Sequence, residues 1–260
     1  MSAARTIRLC LSYDGSGFHG WQVQPGQVTI QQTLSEAVWS VTGERAVVHA
    51  SGRTDAGVHA LGQVAHVRLA TRMPAANLQR ALNARLPASV RVLAAEEAGE
   101  DFHARHDARG KLYRYRIWRE VVCPPFLHRY VYHHPYPLCE EAMRAAAPAW
   151  QGRHDFRSFA ARADKRSLEP VNTVRTVRRS ELWREGAELV YEIEGEGFLH
   201  HMVRNLVGFL LEVGRGARRG EDIPAVLEAH RRAAAAAMAP ACGLYLVRVD
   251  YGERDEEPRP

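Results

Sequence analysis

Cysteine is scarce in this 260-residue chain, and Cys10, Cys123, Cys139 and Cys242 lie far apart with no CxxC pair among them. Such spacing argues against a disulfide framework and suits free thiols in a reducing compartment. Long apolar runs are absent as well. No stretch approaches the roughly 20 apolar residues that a membrane-spanning helix needs. The opening MSAARTIRLCLSYDG passes quickly into a strand pattern and does not read as a signal peptide. Neither a glycine-rich phosphate loop nor a zinc-ligand spacing occurs, which is consistent with a chain that uses no cofactor and no metal. A cytoplasmic protein without a membrane partner is the expectation.

What is present is an ordinary globular composition, 46% hydrophobic and 25% charged, with a net charge of +5 spread along the chain rather than gathered in a tail. Lysine and arginine gain affinity for polyanions by releasing phosphate counterions, so a folded basic surface leans toward nucleic acid. Alternation of Ile7, Leu9, Leu11 and Tyr13 predicts a strand over 5–13. Thr29 to Gln32 fits a capping box. Ile30, Leu34, Val38 and Val41 then follow helical spacing until Gly43. Strands are predicted over 45–51 and 61–69, a helix over 75–86 ended by Pro87, and a strand over 89–95. The second half repeats the order loosely: a strand over 111–118, a helix over 140–149, strands over 172–183 and 187–195, a helix over 200–213 and a strand over 243–251. Two βαββαβ units imply an α+β architecture in which two mostly antiparallel sheets join, with helices on one side. The domains expected are 1–105 and 106–252, with 96–110 as the junction and 253–260 as a frayed tail. A long insertion over 119–138 carries four prolines.

SGRTDAG, residues 51–57, falls between two predicted strands, where a rigid scaffold often displays catalytic groups. Arg53 and Asp55 are two residues apart, so in extended chain they share a side, and a guanidinium there would hold the carboxylate ionised. A carboxylate so held can act as nucleophile or base. The plainer alternative is a good turn carrying a surface ion pair.

SGRTDAGVHA resembles the signature of the bacterial tRNA pseudouridine synthase A (TruA) family. So, in the family's order, do YDGSGFHGWQ (13–22), LNARLP (82–87), DFHAR (101–105), KLYRY (111–115), MVRNLVG (202–208) and APACGLYL (239–246). Together these blocks span nearly the whole chain. The resemblance implies the pseudouridine synthase fold with its active-site cleft between the halves. It also implies isomerisation of uridine to pseudouridine at positions 38, 39 and 40 of the tRNA anticodon stem-loop by a homodimer. Asp55 matches the catalytic aspartate and Arg53 the residue that pairs with it. Tyr113 matches the tyrosine that stacks on the flipped uracil, and Arg204 an arginine that reaches the aspartate from the second domain. Leu244 resembles an apolar residue packed against the base. Each has a structural alternative: strand packing for Tyr113, and still more for Tyr115, a snorkelling surface side chain for Arg204, and a core leucine for Leu244. His106 and Asp107 depart from the aromatic-serine pair common after FHAR, and His200 and His201 stand where the family varies, so no role is assigned to them.

Phosphate contacts are expected among Arg80, Arg85 and the basic stretches 157–168, 175–179 and 215–219. Cys123, His128, His133, His134 and Cys139 fit no common zinc module. Two other classes compete with the synthase: a non-catalytic RNA-binding protein on the same units, and a metal-dependent nuclease or deaminase. The first has no use for the Asp55 carboxylate, and the second lacks clustered ligands.

Overall fold

The structure, a computed structural model, describes residues 4–161, 172–231 and 236–252; the tail expected over 253–260 and the 162–168 part of one basic stretch lie outside them. The fold is α+β. It divides into two compact units, one taking in the chain up to Arg109 together with the chain from Tyr245 on, the other Gly110–Leu244. The units therefore do not follow chain order. The stretch from Tyr245 on falls in the first unit, where Tyr245 and Leu246 pair with His59 and Ala60.

In the first unit the elements are β1 (Arg5–Tyr13), α1 (Ile30–Thr42), β2 (His49–Ala50), β3 (His59–Leu69), α2 (Ala75–Arg85) and β4 (Val90–Ala98). This is the expected βαββαβ order. β1 is central, antiparallel to β3 on one side and to β4 on the other. The opposite edge of β3 is shared. β2 pairs there through His49 opposite His66 and Ala50 opposite Ala65, while β10 (Leu244–Asp250) pairs in parallel through Tyr245 opposite His59. The strand expected over 45–51 thus shrinks to two residues.

The periods explain the core. Ile7, Leu9 and Leu11 of β1 face inward with Val67 and Leu69 of β3, Leu34 and Val38 of α1, and Leu78 and Leu82 of α2, all fully buried. Each such side chain contributes about 1.5–3 kcal/mol of burial. Thr29 caps α1 by accepting from the Gln32 amide, and Gly43, in the left-handed region at φ 72°, closes it. The reciprocal half of the expected capping box does not form, and the Gln32 side-chain amide donates to Glu36 at 2.8 Å.

The second unit holds β5 (Gly110–Trp118), β6 (Tyr132–His133), α3 (Glu140–Ala146), β7 (Gly152–Asp155), β8 (Val174–Glu185), β9 (Glu188–Gly195), α4 (Met202–Gly214) and α5 (Ile223–Glu228). β9 lies between β5 and β8, antiparallel to both, and β7 extends the far edge. The helix expected over 140–149 turns into a tighter 3-10 coil at Ala147–Trp150, where Pro148 removes a backbone donor. Trp150, Phe159 and Phe209 meet edge to face at 5.0–6.2 Å to form the aromatic centre of this core. No described helix is long and apolar enough to cross a membrane.

Candidate active site

Residues 51–58 leave β2, turn, and enter β3. The turn is closed by the Val58 amide donating to the Asp55 carbonyl at 3.1 Å, with Gly57 in the left-handed region at φ 77°. Asp55 is half-buried at its tip, between the buried Thr54 and the exposed Ala56. Arg53, Thr54 and Asp55 lead into the turn and read exposed, buried and half-buried in that order. Among the described residues Arg53 forms no ion pair.

The loop is held from beneath by a buried polar network that sequence reading missed. Gln63 of β3 accepts from the Ser51 hydroxyl at 2.7 Å and donates to the Gly52 carbonyl at 2.9 Å and to Tyr13 Oη at 3.4 Å. Tyr13 Oη in turn lies 2.8 Å from Thr54 Oγ1. Either hydroxyl can donate in that pair. Burial pushes the Tyr13 phenol up to about 12, so it stays protonated across the working pH range. The register of β1 against β3 shifts between Leu11 and Tyr13, an irregularity of the kind that re-aims a side chain beside a functional site. A signal did exist in the sequence. Gln63 occupies an inward position opposite Leu11, where an unexplained polar residue asks for partners.

The 13–22 segment clamps the loop from a second side. The Trp21 amide donates to the Thr54 carbonyl at 3.0 Å, and the Gly57 amide to the Phe18 carbonyl at 3.3 Å. Gly20, at φ 83°, lies so close that a β-carbon there would sit 2.6 Å from the Thr54 carbonyl oxygen. At the start of β3, His59 stacks on Tyr245 at 4.8 Å and receives the Gly15 amide on Nδ1 at 3.2 Å. Removing the centre of the network has a defined cost. Gln63→Leu is expected to destabilise the protein by about 1–3 kcal/mol, the penalty for buried polar groups that lose their partner. Urea unfolding reads this directly, and a midpoint equal to wild type would show that the loop is held by the backbone contacts alone.

The other expected site residues lie in the second unit. Tyr113 is a buried residue of β5, opposite Ile193 of β9, with its ring edge-on to Phe198 at 5.2 Å. Tyr115 is the core residue of the pair. It is fully buried and donates to the Pro240 carbonyl at 2.8 Å, and burial raises its phenol well above the ordinary range. Arg204 is part-buried on the first turn of α4. Its Nε donates to the Ala239 carbonyl at 2.8 Å, and the Ala239 amide returns a bond to the Arg204 carbonyl at 3.1 Å. It is thus pinned rather than snorkelling. Gly208, one turn on, permits this approach, since a β-carbon there would overlap the Ala237 carbonyl oxygen at 1.9 Å. Leu244 is buried where β10 begins. His201 leads into α4 at φ 65° with its ring 3.8 Å from that of His200. In the proline-rich insertion, His128 Nδ1 lies 2.6 Å from the Pro125 carbonyl oxygen, His133 Nε2 3.0 Å from that of Glu120, and His134 Nδ1 3.3 Å from Tyr132 Oη.

A family model described as tRNA pseudouridine synthase matches residues 9–107 and 146–252. The chain is 51% identical over 248 residues to tRNA pseudouridine synthase A of Solibacter usitatus (strain Ellin6076), covering 95% of this chain and all of that one. It is 44% identical over 252 residues to the protein of that name from Limosilactobacillus fermentum, covering 94% of this chain and 95% of the relative. Among solved structures, an archaeal box H/ACA sRNP Nop10-Cbf5 complex matches at 12% identity and a TM-score of 0.35, over 79% of this chain and 44% of that one. On the family match and the two full-length relatives, the chain belongs to the tRNA pseudouridine synthase family of isomerases.

Proposed function

We propose that the protein converts uridine to pseudouridine at positions 38, 39 and 40 of the tRNA anticodon stem-loop, with Asp55 as its catalytic carboxylate. The observation that carries this reading is the placement of Asp55, half-buried at the tip of a turn whose flanking residues are fixed by Gln63, Tyr13 and Trp21. A carboxylate on so rigid a mount is pre-positioned, the property that turns binding into rate. The reaction breaks the N1–C1′ bond, turns the uracil and joins C5 to C1′. N1 gains a proton and C5 loses one, so electrons balance without a redox partner. Asp55 serves either as nucleophile or as the base that manages these protons.

In this reading Arg53 and Arg204 support the carboxylate and Tyr113 stacks on the uracil, as the resemblance implies. Leu244 packs against the base. A stacked uridine hides its glycosidic bond, so the nucleotide must be extruded at a cost of a few kcal/mol, offset by contacts to shape and backbone. Among the basic residues expected to make those contacts, Arg157, Arg179 and Arg218 are engaged with Asp155, with Glu181 and Glu192, and with Glu212. Arg80, Arg85, Arg215 and Arg219 are exposed. The protein acts in the cytoplasm as a homodimer. Support for association comes from Val121, Val122, Phe126 and Tyr136, which expose apolar surface in the proline-rich insertion. A solution mass of one chain would contradict it.

The substrate assignment is tested by mapping pseudouridine, position by position, in tRNA transcripts incubated with the enzyme. Product confined to positions 38, 39 and 40 is expected; product only elsewhere would refute it. Arg204→Ala is expected to lower the single-turnover rate by about 10²-fold, the scale for misplacing a reacting group, with tRNA affinity nearly unchanged. Equal losses of rate and affinity would instead mark Arg204 as a phosphate contact.

A further inference from the structure

The segment leading into β2, with β2 and β3 themselves, carries a second set of side chains. Arg45, Ala46, Val47, His49, His66 and Arg68 line a concavity of about 280 Å³. Its lining holds two guanidiniums and two imidazoles but no carboxylate. Among the described residues neither Arg45 nor Arg68 forms an ion pair, whereas Arg5 and Arg8 of the same sheet pair with Glu97 and Glu96. Arg45 is held over the Trp39 ring at 5.0 Å, which fixes the cation without neutralising it. Glu44 accepts from the Ala70 amide at 2.7 Å and Asp107 from the His103 amide at 2.8 Å.

His66 supplies the interior of this pocket. It is 5% exposed, paired across the ribbon with His49, and stacked on that ring at 5.1 Å. Its Nδ1 accepts from the Ala104 amide at 3.1 Å, so in the neutral ring the proton sits on Nε2. Burial, then His103, His49 and Arg68, push its pKa down to about 4, so the ring is neutral near pH 7 and Nε2 is a fixed donor. Nε2 has no hydrogen-bond partner among the described residues, and it is not among the atoms sealed from solvent without one. A buried donor and two guanidiniums without an ion pair, lining one concavity, suit an oxyanion.

We propose that Arg45, Arg68, His49 and His66 form a phosphate subsite that holds a backbone phosphodiester of the bound tRNA. The assignment to RNA rests on the tRNA reading above; the oxyanion chemistry does not. At about 280 Å³ the pocket is smaller than the roughly 300–1,000 Å³ of sites that bury drug-sized ligands, so it takes a group and not a whole cofactor. Arginine suits such a ligand because its planar fork matches phosphate oxygens. Seven residues of β3 separate His66 from His59 at the start of the strand, about 23 Å at the usual rise. The phosphate held here therefore belongs to a nucleotide remote from the reacting uridine and contributes to binding rather than to chemistry.

The test compares wild type with Arg45→Gln/Arg68→Gln, and with Arg144→Gln as a control at an exposed arginine on α3. tRNA affinity is measured against salt, the single-turnover rate is measured at saturating enzyme, and inorganic phosphate is titrated alone while the His49 and His66 ring nitrogens are followed by NMR. The double variant is expected to lose about tenfold in affinity and about 0.7–0.9 of salt slope per phosphate contact removed, with the saturated rate unchanged. Arg144→Gln should behave as wild type. In wild type, phosphate should shift both imidazoles, and the shift should vanish in the double variant. If wild type binds and converts tRNA while the double variant keeps its affinity and slope, the RNA assignment is overturned, and a phosphate response in that case would mean a site for the free anion. Absence of the phosphate response together with an unchanged slope overturns the subsite altogether. Failure of wild type to convert any tRNA would strike the tRNA reading instead, and the phosphate titration would still decide the pocket.

Discussion

Asp55→Ala is expected to lower the single-turnover rate of pseudouridine formation by at least about 10⁴-fold, the upper end of what one positioned acid–base group supplies, while tRNA affinity stays within several-fold. In free energy that is about 5.5 kcal/mol of transition-state stabilisation. Loss on this scale with binding preserved requires that the variant keep its loop. It should, because residues 51, 52, 54 and 57 are held by contacts to Gln63, Tyr13, Trp21 and Phe18 that the variant keeps. Asp55→Asn preserves the shape and removes the charge, and should fall nearly as far. A variant that retained a tenth of the wild-type rate would make Asp55 an accessory rather than the group that does the chemistry.

The second large effect is expected from Gly20→Ala, at a residue that touches no substrate in this account. Gly20 adopts φ 83°, and a β-carbon there would lie 2.6 Å from the Thr54 carbonyl oxygen and 3.1 Å from both the Ala56 nitrogen and the Asp55 carbonyl carbon. All three are backbone atoms, which cannot swing aside as a flexible side chain can. Either the 13–22 segment or the Asp55 loop must move, and the Trp21–Thr54 hydrogen bond must lengthen with it. Strain of this kind costs about 1–3 kcal/mol. Displacing a catalytic group by about 1 Å costs some 10²-fold in rate. Gly20→Ala should therefore be both less stable than wild type and about 10²-fold slower per folded molecule, with tRNA affinity nearly intact. Full activity in the folded fraction would show that the loop tolerates displacement and that its rigid mounting does not matter to rate.

How far the sequence disclosed this arrangement depends on whether the signal was local. β1, α1, β3 and α2 were readable because their burial follows simple periods, as with Ile7, Leu9 and Leu11 or Leu78 and Leu82. The return of β10 to β3 was not readable, because a parallel pairing between residues 245 and 59 leaves no mark on either segment. The turn at 51–58 was legible from its glycines. Gln63 and Tyr13 were hidden for a different reason. In sequence a polar residue inside an apolar strand looks like a defect, and only the fold shows Ser51, Gly52 and Thr54 converging on it. The 13–22 block, first noticed through resemblance, has a physical purpose: it is the second wall of the Asp55 loop.

The most direct test of the central claim is tritium release from tRNA labelled at uridine C5, comparing wild type with Asp55→Ala. Forming the C5–C1′ bond must expel that hydrogen, so the signal reports the isomerisation itself. The account predicts release by wild type and none above background by a folded Asp55→Ala protein that still binds the tRNA. Equal release by the two would contradict it.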